Sequence, residues 1–163
     1  MTTIYLVRHG QASFGAESYD KLSPNGELQA KILGQYFKDI LKEEPYVVVG
    51  SMHRHQQTAN LALAESFPDV EINTHAAWNE FNHQQVFAQY EPRFKEPHLL
   101  KADVAEAENP RAYLSKIFEG AIHRWTAGEF HHEYDESWPE FKARVEKPLQ
   151  DLCDELAITK PRY

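Results

Sequence analysis

The sequence predicts an α/β protein in which a mostly parallel central sheet lies between helical layers, a three-layer α/β/α sandwich carrying a helical insertion. Three observations predict it. An apolar run, Thr3 to Val7, breaks off into Arg8-His9-Gly10, and a second run, Tyr46 to Val49, breaks at Gly50-Ser51 into another polar cluster. Between and after these runs lie stretches whose apolar residues recur at helical spacing. Strands alternating with helices argue for parallel pairing, and in such sheets ligands collect beyond the carboxyl ends of the strands. Both polar clusters would sit there.

The elements follow in order. Thr3 to Val7 is continuous, β-branched and aromatic, as expected of a strand covered on both faces. From Gln11 to Leu22 no period is visible, so a loop over the strand tips is expected. Ser23-Pro24 starts a helix, with serine as cap and proline at the first helical position. Its expected apolar row is Leu28, Ile32, Tyr36 and Ile40, widened by Leu33, Phe37 and Leu41, and Pro45 forbids its continuation. Tyr46 to Val49 is the second strand. The polar cluster Ser51, His53, Arg54, His55, Gln56, Gln57 and Thr58 is expected as an extended segment, followed by a helix with Ala59, Leu61, Ala62, Leu63 and Phe67 for packing. Val70 to Ile72 reads as a short third strand, and Trp78-Asn79-Glu80-Phe81 as the next exit from the sheet.

Residues 82–132 change character and read as an insertion or lid within one domain spanning 1–163. Val86, Phe87 and Tyr90 suggest a short helix there. Asn109-Pro110 opens another helix reaching about Thr126, with Tyr113, Ile117, Ile122 and Trp125 as its apolar side. Ser137-Trp138-Pro139-Glu140 carries the signature of a capping box and starts the last helix, in which Pro148 predicts a kink.

Composition narrows the function classes. An apolar fraction of 42% with 26% charged residues is that of a globular chain. The net charge of −8 disfavours nucleic acid or an anionic membrane as partner. The single Cys153 excludes an intramolecular disulfide and a cysteine-based zinc site. His53 and His55 lack further ligands at metal-site spacing, so no metal and no cofactor is expected. No leader and no apolar run of spanning length is visible, and a cytoplasmic protein is the expectation.

Candidate chemistry concentrates at the first strand tip. A histidine there suits a nucleophile or acid/base, and an adjacent arginine suits a phosphate or carboxylate. Leu6-Val7-Arg8-His9-Gly10-Gln11 resembles the signature of the histidine phosphatase superfamily, in the branch that includes cofactor-dependent phosphoglycerate mutases. Leu22-Ser23-Pro24-Asn25-Gly26 with Gln29-Ala30 is similar to that family's segment at the start of its first helix. Ser51-x-x-Arg54-x-x-Gln57-Thr58-Ala59 resembles its second motif, and Asn79-Glu80-Phe81 the segment bearing its acidic catalytic residue.

The resemblance implies a small phosphorylated substrate and a role for each residue. His9 would attack phosphorus and become phosphohistidine. Arg8 and Arg54 would bind the transferring phosphoryl group. Glu80 would protonate the leaving oxygen and then activate water. Gln11 would donate to the phosphoryl group through its amide, or merely bond within its loop. The chemistry is sound in itself: a neutral imidazole is nucleophilic near neutral pH, and guanidinium forks neutralise phosphoryl charge without a metal.

The sequence departs from the family in two places. No Ser-His-Gly occurs, whereas the family carries a second histidine in such a segment near its C-terminus. Gly15 stands where many mutases have an asparagine. Three readings stay open: an incomplete chain, a truncated and impaired product, or a local histidine acting as substitute. A catalytically impaired phosphate-binding protein is therefore the alternative to a phosphatase, with mutase activity behind both. Loss of a final strand would also expose a sheet edge, which a homodimer could cover.

Overall fold

The computed structural model describes residues 3–13 and 20–158. Among the described residues lie a two-stranded parallel sheet, β1 (Val47–Val49) and β2 (Ile72–Thr74), and six α-helices: α1 (Pro24–Ile40), α2 (His53–Leu63), α3 (His83–Tyr90), α4 (Pro97–Glu106), α5 (Pro110–Thr126) and α6 (Trp138–Ile158). Val47 pairs with Ile72, Val48 with Asn73 and Val49 with Thr74. The strands run the same way because α2 carries the chain back between them, so the fold is α/β with parallel pairing.

The chain divides into two compact units, one formed by residues up to Asn79 with the C-terminal end of α6 from Asp154, the other by Glu80–Cys153. In the first, Phe37, Ala62 and Leu63 form a core between α1 and α2, with Leu33, Ile40, Leu41, Val47, Phe67 and Val70 packed around it. Close approach of the two helices decides which face of α1 is inside. A Cβ on Gly34 would stand 2.7 Å from the Ala62 carbonyl oxygen, so α1 meets α2 through its small residues. This corrects the expected apolar row. Leu28, Ile32 and Tyr36 are exposed, while Gly26, Ala30, Gly34 and Phe37 are buried. Counting large apolar side chains along α1 misplaces its buried face, because the closest contact excludes bulk.

A second correction concerns Thr3 to Val7. These residues do not form a strand, and Leu6 is 77% exposed. A strand needs a ladder partner as well as β-prone residues, and β1 pairs only with β2 among the described residues. Instead the segment runs past α1, with Tyr5 edge-on to Phe37 at 5.8 Å between ring centroids.

The second unit is helical around Trp125. Val86, Phe87, Phe94, Leu100, Ala121 and Tyr134 complete its buried cluster. Trp125 stacks against Phe81, Trp138 and Phe141, and its Nε1–H donates to the Glu136 carbonyl at 2.9 Å, so the indole is buried with its polar atom satisfied. Caps expected from the sequence are present. Asn109 Oδ1 accepts from Ala112 N–H at 3.0 Å, and the Ser137 N–H and hydroxyl both donate to Glu140 Oε2 at 2.8 and 2.6 Å. Those two bonds hold the Glu140 carboxyl below the usual range. Helix α4 was not expected from the sequence, and α6 runs through Pro148 as one helix.

Candidate active site

The site is built where β1 hands the chain to α2. The backbone leaves the sheet at Gly50, where a Cβ would stand 2.6 Å from Asn79 Oδ1 and would also strike the His55 ring. Helix then begins at His53, so the polar cluster expected as an extended segment forms the first turns of α2 instead. The consequence is geometric. Arg54 and Thr58 stand one helical turn apart on the same side, and both are buried. The Thr58 hydroxyl donates to the Arg54 carbonyl at 2.7 Å and accepts from Gly10 N–H at 3.1 Å. One side chain thus ties the Arg8-His9-Gly10 segment to the helix carrying Arg54. The His9 and His55 rings lie 5.6 Å apart, placing His9 against the first turn of α2.

His9 itself is half-buried, and its Nδ1 lies 2.6 Å from the Gly10 carbonyl oxygen. A carbonyl can only accept, so this contact puts a proton on Nδ1, and in a neutral imidazole the lone pair then falls on Nε2. Gly10 is buried against the start of α1, facing Gly26. Gln11 continues that contact: its N–H donates to Gln29 Oε1 at 2.8 Å, and its carbonyl accepts from Ser23 N–H at 2.8 Å. Its side-chain Oε1 accepts from Asn25 Nδ2 at 2.8 Å and from the Ser23 hydroxyl at 3.3 Å. That hydroxyl also caps α1 by accepting from Gly26 N–H at 3.1 Å. Gln11 Oε1 is therefore engaged at the helix start. Beyond it, Ala12 bridges Leu22 and Ser13 N–H donates to the Lys21 carbonyl at 2.8 Å, so both feet of the loop are pinned together. Gln57 Oε1 holds the second foot by accepting from Leu22 N–H at 2.9 Å. Gly15 and the rest of that loop, 14–19, lie outside the described residues.

Arg54 meets a carboxylate. Its Nη1 donates to Asp20 Oδ1 at 2.9 Å, and Asp20 Oδ2 accepts from His53 N–H at 2.8 Å. Partial burial works to raise the Asp20 pKa. Hydrogen bonds from the His53 and Arg54 amides, with the charge of the Arg54 guanidinium, outweigh it and leave the carboxyl below its ordinary value. The sign follows. A lowered folded-state pKa contributes stability above the unfolded value, and that contribution disappears as pH falls through the folded one. The pair is therefore intact across neutral pH.

Arg8 is exposed, and Glu80 is half-buried at the start of the second unit. The residue before it is firmly held: Ser51 N–H donates to Asn79 Oδ1 at 2.7 Å, and Asn79 Nδ2 donates to the Ser51 hydroxyl at 2.8 Å. Of the residues singled out from the sequence, His9, Gln11 and Arg54 are joined by described contacts through Thr58, His55 and the α1 start. Four contributors were missed. Thr58, Gln57 and Asn79 lay inside the segments already quoted, where their side chains could have been read as latches. Asp20 gave no signal, since it reaches Arg54 from 34 positions earlier in the chain.

The Gly10–Gly26 crossing makes a prediction. A Cβ on Gly26 would collide with the Gln11 backbone, which cannot rotate away. Gly26→Ala should cost about 3 kcal/mol despite alanine's better helix propensity, because overpacking against backbone dominates. At Gly120 the three atoms nearest an added Cβ all belong to the tip of the Tyr90 side chain, which is 38% exposed and can swing out. Gly120→Ala should be neutral or stabilising. Urea unfolding of both variants checks the contrast.

No curated protein and no solved structure matches the chain. A family model does: that of the histidine phosphatase superfamily (branch 1), over residues 4–158, a span that contains His9, the Thr58 latch, Arg54 and Glu80. The chain belongs to the histidine phosphatase superfamily, and with it to a family of phosphatases and phosphotransfer enzymes.

Proposed function

We propose that the protein hydrolyses a small phosphomonoester through a phosphohistidine intermediate on His9, without a metal. The observation that supports this reading is the contact of His9 Nδ1 with the Gly10 carbonyl, which in a neutral imidazole leaves the lone pair on Nε2. In the reaction, Nε2 attacks phosphorus and the ester P–O bond breaks. The departing alkoxide takes a proton from Glu80. Water then attacks the phosphohistidine while Glu80, now a carboxylate, accepts the water's proton. Inorganic phosphate leaves and the neutral imidazole is restored. Arg8 and Arg54 neutralise the equatorial oxygens, and such preformed donors act where charge is concentrated in the transition state. Mutase activity ranks behind hydrolysis, because it requires retention of a bisphosphorylated intermediate.

A second reading is a phosphate-binding protein of the same superfamily that does not turn the substrate over. Quenching in alkaline denaturant after mixing with an aryl phosphate separates the two. Protein-bound phosphate that is acid-labile and base-stable, with release of the phenol, is the expected result. Absence of both labelling and turnover while inorganic phosphate still binds would favour the second reading.

A further inference from the structure

We propose that Asp20 is a positioning residue for the phosphoryl site, holding the Arg54 guanidinium and the first turn of α2 in the orientation that receives a phosphoryl group. The inference rests on the phosphatase reading above. Helix α2 starts without a cap of its own: Met52 stands at the N-cap and makes no side-chain cap bond. Asp20 supplies the cap from a distant part of the chain. Its Oδ2 accepts from His53 N–H at 2.8 Å, and its Oδ1 lies 3.5 Å from Arg54 N and 2.9 Å from Arg54 Nη1. One carboxylate therefore holds both the backbone and the side chain of Arg54.

Burial explains why this matters for binding. The Arg54 side chain is 4% exposed and that of Asp20 46%, so the acid stands at the rim and the base inside. A long arginine side chain has many rotamers, and a phosphoryl group that had to select one would bind more weakly. The carboxylate makes that selection in advance. A guanidinium carries several N–H donors around a plane, so fixing Nη1 orients the whole fork for a second, bidentate anion. Asp20 also lies at the second foot of the 11–22 loop, next to Lys21 and Leu22, whose backbones are pinned to Ser13 and Ala12. It ties the loop, the α2 start and Arg54 into one support.

The opposite reading has the opposite sign. If Asp20 merely occupied the place of the phosphoryl group, removing it would tighten phosphate binding. If it only capped α2, an asparagine would serve, because its Oδ1 can still accept from His53 N–H.

The test compares wild type, Asp20→Asn and Asp20→Ala by titration with inorganic phosphate, steady-state hydrolysis of p-nitrophenyl phosphate, and thermal unfolding. Phosphate binding should weaken about tenfold in Asp20→Asn, the size of one lost charge-assisted bond. KM should rise more than kcat falls, and the unfolding midpoint should fall less than in Asp20→Ala, because asparagine keeps the bond from His53 N–H while the charged pair is lost. Asp20→Asn binding phosphate as well as or better than wild type would overturn the proposal, whatever Asp20→Ala does to the melting temperature. If Asp20→Ala does not fold, Asp20→Asn decides alone. Wild type that binds no phosphate would instead sink the underlying reading of the site.

Discussion

His9→Ala should abolish phosphohistidine formation and lower kcat for an aryl phosphate by about four orders of magnitude or more, with the fold intact. The size follows from the role. Removing the nucleophile of a covalent mechanism eliminates both half-reactions, leaving only what the anion-binding groups contribute to direct attack by water. The fold should survive because His9 is only half-buried. Gly10 N–H would still reach the Thr58 hydroxyl, so the segment would keep its tie to α2. Inorganic phosphate should continue to bind, within a few-fold of wild type, through the guanidiniums. Circular dichroism, a phosphate titration and alkaline-quench labelling on one preparation check all of this. Turnover retained at more than a few per cent would remove His9 from the chemistry and the phosphohistidine with it.

Arg54→Lys should lower kcat/KM by about two to three orders of magnitude, the range for loss of one preorganised oxyanion donor. The substitution keeps the positive charge, so bulk electrostatics cannot explain the loss. Lysine is a point donor on a flexible stem. It cannot hold Asp20 and offer a planar fork to phosphate together, whereas the guanidinium can. Inhibition by vanadate should weaken in parallel, since that anion imitates the pentacoordinate phosphorus that the fork is proposed to meet. Steady-state kinetics with vanadate inhibition, compared with Arg8→Lys, make the measurement specific. Arg8 is exposed, has room to adjust, and should show a smaller loss. A variant Arg54→Lys with unchanged kcat/KM would leave Arg54 as a structural partner of Asp20 and nothing more.

Helix boundaries were legible in the sequence wherever a local signal exists. Ser23 with Pro24, Asn109 with Pro110, and Ser137 with Glu140 each begin a helix at the expected residue, because a cap is satisfied within three or four positions. The strand before Arg54 was equally visible as a run of valines, and it pairs in parallel as expected. The failures share a physical origin. Thr3 to Val7 has every local property of a strand, yet pairing is a property of two segments. Leu28, Ile32 and Tyr36 make an apolar row on α1, yet Gly34 and Ala30 face α2, because helix–helix distance is set by the smallest residues at the crossing. The first turns of α2 were read as extended, since polar residues leave no hydrophobic period by which to recognise a helix.

The sequence by itself determined the chemical vocabulary of this protein: an imidazole beside a guanidinium and a glycine, a second arginine behind one strand, and an acid beyond the next. Those identities follow from short motifs with fixed spacing, all within the span of the family match, residues 4–158. Only the tertiary structure decided what holds the groups still. The Thr58 hydroxyl between Gly10 and Arg54, the Asp20 carboxylate beneath the guanidinium, and the two glycines that let residue 11 cross α1 are contacts across 16 to 48 positions of chain. Such partners are chosen by the folded path, and no local pattern in the residues announces them.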